Sequence, residues 1–217
     1  TIKIYDKNSQ LGGCWISKAY ENVRLQSNKD SYSFSDYPMS EEYSDYPTRK
    51  QILEYFNVYS KDNNILEHIE FNSIVISARY KVLDKTNKKY TIIPVIQPKN
   101  IIWKIKVNID GKIFTRYYKY LIVCSGFYDK AYIPKLFLKE NDFLGKIRHI
   151  EEFSYNGKET FDNLKDLDVT IIGNGPSGID SACEAIEKGA KSVTIIYRTD
   201  RWFTIRNLQL GLFNYNS

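Results

Sequence analysis

The run Gly173-Asn174-Gly175-Pro176-Ser177-Gly178 lies between a β-branched stretch, Asp168 to Ile172, and a helical pattern from about Ser177 to Lys188. This placement constrains the chain more than any other feature. A first glycine permits a tight turn, a second lets an anion reach the backbone, and a third lets helix and strand pack closely. Gly189 stops the helix, and Ser192 to Tyr197 reads as a second strand, so the whole is one βαβ unit. Free N–H groups and the helix dipole then face any phosphate placed at the loop. The pattern predicts nucleotide binding at Gly173, Gly175, Pro176, Ser177 and Gly178. The bland alternative is a tight strand–helix turn without a ligand.

The end of the second strand selects the nucleotide. An NAD-type site expects Asp or Glu about 20 residues past the loop, bonding the ribose 2′-OH. This chain offers Tyr197-Arg198-Thr199-Asp200-Arg201. The planar donor fork of Arg198 matches a 2′-phosphate, and Arg201 can join it, whereas Asp200 lies past the usual position. NADP is therefore expected over NAD, against the plainer reading of Arg198 as a solvated strand-end arginine.

Composition narrows the remaining classes. With 217 residues, 42% of them apolar and 26% charged, the chain can bury one large core or two small ones. No apolar run approaches the roughly 18 residues that cross a bilayer, and the termini carry no signal-peptide pattern. Lys+Arg 31 against Asp+Glu 26 leaves +5, with both signs interspersed, so no nucleic-acid surface is expected. Cys14, Cys124 and Cys183 are odd in number and far apart, and there are only 2 histidines. Neither a disulfide framework nor a metal site is expected, and a cytoplasmic location is.

The other elements can be placed coarsely. Thr1 to Tyr5 reads as a strand ending at Asp6, and Tyr20 to Pro47 as irregular connection with a helical turn. A helix capped by Thr48 carries Ile52, Leu53, Phe56 and Tyr59 at helical spacing and stops at Asp62-Asn63-Asn64. Strand signals follow at Ile74–Ile76, Thr91–Ile96, Ile101–Ile109, Lys112–Tyr117 and Tyr120–Val123. Asp110-Gly111 is a hairpin turn, and Pro94 and Pro98 put their segments at an edge. The expected class is α/β with a small antiparallel meander that returns to a central sheet. Asp6 stands where a dinucleotide-binding βαβ unit ends, with its own glycine loop about 20 residues upstream, before Thr1. The chain reads as a piece of something longer.

On these residues a family resemblance appears. Tyr5-Asp6-Lys7 through Leu11-Gly12-Gly13-Cys14-Trp15 resembles the ribose-binding acid and GG-x-W of flavin-containing monooxygenases. Phe34-Ser35-Asp36-Tyr37-Pro38-Met39 is similar to that family's FSDFPM stretch, and Val123-Cys124-Ser125-Gly126 to its ATG-like strand end. Phe143-x-Gly145-x-x-x-His149-x-x-x-Phe153 matches the identifying F-x-G-x-x-x-H-x-x-x-(Y/F) pattern, just before the Gly-x-Gly-x-Ser-Gly-x-Asp loop. Related Baeyer–Villiger enzymes end that pattern in Trp, so Phe153 points to the N- or S-oxygenating branch.

The resemblance implies a two-dinucleotide-binding-domain flavoprotein of Rossmann-like type, with residues 1–156 a partial FAD-binding domain and 157–217 a partial NADP-binding domain. FAD would meet Asp6, Lys7, Gly12, Gly13 and Trp15, and NADP the glycine loop, Arg198 and Arg201. Gln26, the catalytic candidate, replaces a flavin-side Asn with an amide of different reach. His149, taken singly, reads as a packed, hydrogen-bonded histidine, and His68 as surface. The implied activity is NADPH-dependent oxygenation of nucleophilic nitrogen or sulfur in small molecules by O₂, the cofactor carrying the hard chemistry. Membrane attachment is not visible. The alternative is a truncated, inactive remnant that at most binds a nucleotide; a disulfide reductase would need a CxxC that is missing.

Overall fold

A computed structural model describes residues 2–82, 101–127, 130–134, 143–154 and 157–201. Two compact units share the chain: Thr1–Gly13 with Phe56–Asp129, and Cys14–Tyr55 with Lys130–Ser217.

The first unit starts with β1 (Ile4–Tyr5), which pairs in parallel with β2 (Ile69–Glu70). Asp6 continues this edge: its N–H donates to the Glu70 carbonyl (3.1 Å), and its own carbonyl accepts the Ser73 N–H (2.8 Å). A three-stranded antiparallel meander follows, β3 (Ser73–Val82), β4 (Ile101–Ile109) and β5 (Lys112–Tyr118), with β4 central. Its pleat explains the residue pattern: Ile105 and Val107 are buried while Lys106 between them is exposed. Val107 opposes Val75 and Phe114, and Trp103 opposes Tyr80 and Tyr118. Asp110 (φ 48°) and Gly111 (φ 83°) make the expected two-residue turn, since a type I′ turn needs positive φ at both positions. Tyr5 and Tyr118 share a hydroxyl hydrogen bond of 2.7 Å. Burial, and then that bond, push the Tyr5 hydroxyl well above its ordinary pKa.

Two strand expectations differ from the structure. Only Ile4–Tyr5 of the opening run is paired, and Tyr120–Val123 forms no strand, with Ile122 84% exposed. A strand exists only as part of a ladder, and among the described residues nothing lies beside this segment to complete one. Thr91–Ile96, Pro94 and Pro98 lie outside the described residues.

The second unit holds α1 (Cys14–Ser17), α2 (Lys29–Tyr32), the start of α3 (Arg49–Asp62) and a parallel βαβ unit. Thr48 caps α3 as expected: Thr48 Oγ1 accepts the Gln51 N–H, and Gln51 Oε1 accepts the Thr48 N–H, a reciprocal capping box. Ile52 and Tyr55 form its buried face. The irregular stretch before it is held by specific bonds. Leu25 N–H meets the Pro47 carbonyl (2.9 Å), and buried Lys29 reaches the Ser40 carbonyl and Glu41. Tyr55 ties the Phe34–Tyr37 turn from below. Its hydroxyl accepts the Phe34 N–H (2.7 Å) and donates to the Tyr37 carbonyl (2.6 Å).

Tyr55→Phe leaves both backbone groups without this partner and should cost about 1–3 kcal/mol. In a chain of this size that lowers the melting temperature by roughly 2–10 °C, readable by circular dichroism. An unchanged melting temperature would show that the turn does not depend on this hydroxyl.

Candidate nucleotide-binding site

β6 (Asp168–Ile172), α4 (Pro176–Glu187) and β7 (Ser192–Ile196) form the βαβ unit, the strands parallel and in register from Asp168↔Ser192 to Ile172↔Ile196. Small residues make the close packing possible: Ser181, Ala182 and Ala185 are the buried positions of α4, with Glu184. At its C-terminus Gly189 (φ 85°) takes the left-handed conformation. Its N–H bonds the Ile186 carbonyl, and the Ala190 N–H bonds the Ala185 carbonyl, which is a Schellman stop.

The three glycines of the loop meet three different requirements. Gly173 sits at φ 112°, which an L side chain rarely adopts. A Cβ on Gly178 would collide with the Gly173 carbonyl oxygen. Gly175 has ordinary angles (φ −76°, ψ 175°), and a Cβ there would meet open space. Neither strain nor packing within the protein calls for glycine at Gly175. Open space over this backbone is what a ligand approaching it needs. Gly175 is also the helix N-cap and supplies no side-chain acceptor, with Pro176 next to it. The first-turn N–H groups therefore lack the usual internal partner, an arrangement suited to an anion.

The strand end carrying the arginines is fastened to this loop. Gly173 N–H donates to the Ile196 carbonyl (2.8 Å). Asn174, 8% exposed, donates from Nδ2 to the Thr199 carbonyl (3.0 Å). Asp200 is bonded to Tyr197, which raises the tyrosine pKa above its ordinary value. That carboxylate is engaged, while Arg198 and Arg201 are exposed and make no ion pair among the described residues.

The other motif residues occupy defined places. Asp6 Oδ1 accepts the Asn8 N–H at 2.8 Å. Lys7 is exposed, and Gly12 (φ 129°) and Gly13 (φ 51°) both hold positive φ. These four belong to the first compact unit, and the remaining candidates to the second. Trp15 donates from Nε1 to Tyr32 Oη (3.2 Å), and its carbonyl accepts Arg49 Nε (2.6 Å). Gln26 is exposed in a bend ahead of α2.

The Phe143–Phe153 motif has a clear structural logic. The Phe143 ring covers Gly145 so closely that a Cβ there would collide with it. His149 caps the 3₁₀ turn Ile150–Phe153: its Nδ1 accepts the Glu151 N–H (3.2 Å), and its own N–H donates to Glu152 Oε1 (2.9 Å). Phe153 packs on Phe161, ring centroids 4.8 Å apart. Arg148 pairs with Glu159 (2.9 Å) and Glu152, and the pairing holds the Glu159 carboxyl below its ordinary pKa.

Comparison with known proteins agrees with these landmarks. Residues 4–215 match the flavin-binding monooxygenase-like family. The chain belongs to that family. It is 30% identical over 213 residues to "Probable flavin-containing monooxygenase 1" of Arabidopsis thaliana, covering 92% of this chain and 40% of that protein. Among solved structures it resembles Tmm from a Pelagibacter species, with a TM-score of 0.71, 21% identity and coverage of 94% of this chain and 46% of that one. It also resembles OTEMO crystallised with FAD and NADP, with a TM-score of 0.67, 22% identity and coverage of 91% and 34%. The chain thus spans less than half the length of each. The chain shares the fold of these structures, and its own sheets include the antiparallel meander.

Asn174 and Tyr20 are structurally important residues that motif reading passed over. Asn174 sits at a variable position of the glycine pattern, and only its burial reveals its role.

The glycines give a paired test. Gly175→Ala should leave the melting temperature within about 2 °C and weaken NADP⁺ binding at least roughly tenfold. Gly178→Ala should lower the melting temperature itself, because backbone must move. Titration calorimetry beside thermal melts separates the two; normal NADP⁺ binding by Gly175→Ala would sink the assignment of the loop.

Proposed function

We propose that the chain forms part of an FAD- and NADPH-dependent monooxygenase that oxygenates nucleophilic nitrogen or sulfur in small molecules. The observation that carries its nucleotide-binding part is the glycine at position 175, where, among the described residues, a Cβ would meet open space. Family membership supports monooxygenase chemistry and weighs against the inactive-remnant alternative.

In this reading residues 1–156 serve FAD and 157–217 serve NADP. That division follows the ligand loops, whereas the compact units follow packing. The first-turn amides of α4 receive the NADP pyrophosphate, and Arg198 with Arg201 receives the 2′-phosphate. Asp6 Oδ2, which makes no hydrogen bond among the described residues, accepts from a ribose hydroxyl of FAD. Gly12 and Gly13 keep the adjoining backbone bare, and Lys7 adds a cation. Trp15 and Gln26 are kept as flavin-side candidates on the family resemblance alone. When bound, the flavin supplies the redox and oxygen chemistry, with the nicotinamide as hydride source. The protein's share is to bind, orient and exclude water, which fits a chain whose sequence offers no nucleophile–base pair.

The partners in this proposal are a small nucleophilic substrate and O₂, without nucleic acid. Among the described residues no helix is long and apolar enough to cross a membrane, and we place the protein in the cytoplasm on its cysteine usage. His149 is given a structural role in this reading, capping the turn Ile150–Phe153.

The test is cofactor preference. Arg198→Ala should cut NADPH affinity roughly tenfold or more and change NADH affinity little, because only NADPH has a 2′-phosphate to lose. An unchanged ratio in parallel titrations would return Arg198 to a solvated role and remove the NADP assignment.

A further inference from the structure

α4 carries Asp180 and Glu184 four residues apart, one turn above the other on one side of the helix. Both carboxylates accept hydrogen bonds from one short segment. Tyr20 Oη donates to Asp180 Oδ2 at 2.6 Å, and Asn22 Nδ2 donates to both Glu184 oxygens at 2.9 and 2.7 Å. Tyr20 is 6% exposed. Its ring stands edge-on to Phe161, 6.5 Å between centroids, and Phe161 in turn packs on Phe153. Lys18, two residues earlier, pairs with Glu151 in the 3₁₀ turn capped by His149. The segment from Lys18 to Asn22 therefore grips the glycine-loop helix at two points and the neighbouring turn beside it.

We infer that Tyr20 is a positioning residue for the nucleotide loop, its hydroxyl pinning Asp180 and thereby the first turns of α4. The inference rests on reading Gly173–Gly178 as a dinucleotide site. Two physical points support it. A tyrosine that only filled the contact with Phe161 would need no hydroxyl, since phenylalanine packs there without burying a polar group. Asp180 also lies just beyond the first turn of a helix whose N-terminus faces a pyrophosphate in this reading. A carboxylate fixed there by a short hydrogen bond keeps a single direction beside the loop.

The experiment titrates NADP⁺ into the parent chain, Tyr20→Phe, Asp180→Asn and the double variant. Amide hydrogen exchange across residues 176–184 is followed without nucleotide. Tyr20→Phe keeps the ring contact; it should speed exchange in that window and weaken NADP⁺ binding roughly tenfold. The double variant should lose little more than Tyr20→Phe alone, a non-additivity that two independent packing roles do not produce. Unchanged exchange and affinity in Tyr20→Phe would overturn the inference, as would single-variant losses that simply add. If the parent chain binds no NADP⁺, the dinucleotide reading falls, and Tyr20 reverts to a packing residue whatever its effect on exchange.

Discussion

The contact between Gly178 and the Gly173 carbonyl is the constraint on which the nucleotide-side structure depends. It brings the start of α4 down onto the end of β6, closer than any side chain allows. Once that distance is set, the rest of the loop has little freedom. Gly173 must adopt φ 112° to turn the chain, and Gly175 must cap the helix from an extended conformation. The amides of the first turn are then left without a side-chain cap. The close packing also explains why the buried face of α4 is made of Ser181, Ala182 and Ala185 beside one held carboxylate, Glu184.

The strand end that carries Arg198 hangs from this frame by one backbone and one side-chain hydrogen bond. Ile196 accepts from Gly173, and Thr199 accepts from Asn174, so the strand end and the loop move as one piece. Among the described residues Arg198 makes no ion pair of its own. The Phe143–Phe153 motif works in a similar indirect way. Its histidine and glutamates shape a turn, and its last phenylalanine reaches Tyr20 through Phe161. A fingerprint that looks chemical in the sequence is, in the structure, a set of caps and ring contacts.

The meander of the other unit shows the opposite balance between local and distant causes. Asp110-Gly111 determines the β4–β5 register by itself, because only positive φ at both positions joins the strands with two residues. Tyr120–Val123 has equally good strand residues and forms no ladder. Composition makes a segment able to pair; a neighbouring strand decides whether it does.

The sequence alone determined the βαβ unit, the α3 cap, the hairpin turn and the family motifs. Each of these depends on residues within a few positions of one another. Glycine freedom, side-chain capping and turn geometry are local, so they can be read along the chain. Only the tertiary structure decided which glycine answers to strain, which to packing and which to open space. It alone showed that His149 is a cap, that Asn174 fastens the loop to Thr199, and that Tyr20 bonds Asp180 across 160 residues. These are pairings between distant positions, and their physical cause is burial. A polar group taken out of water must find a partner wherever the fold brings one, and sequence spacing carries no record of that.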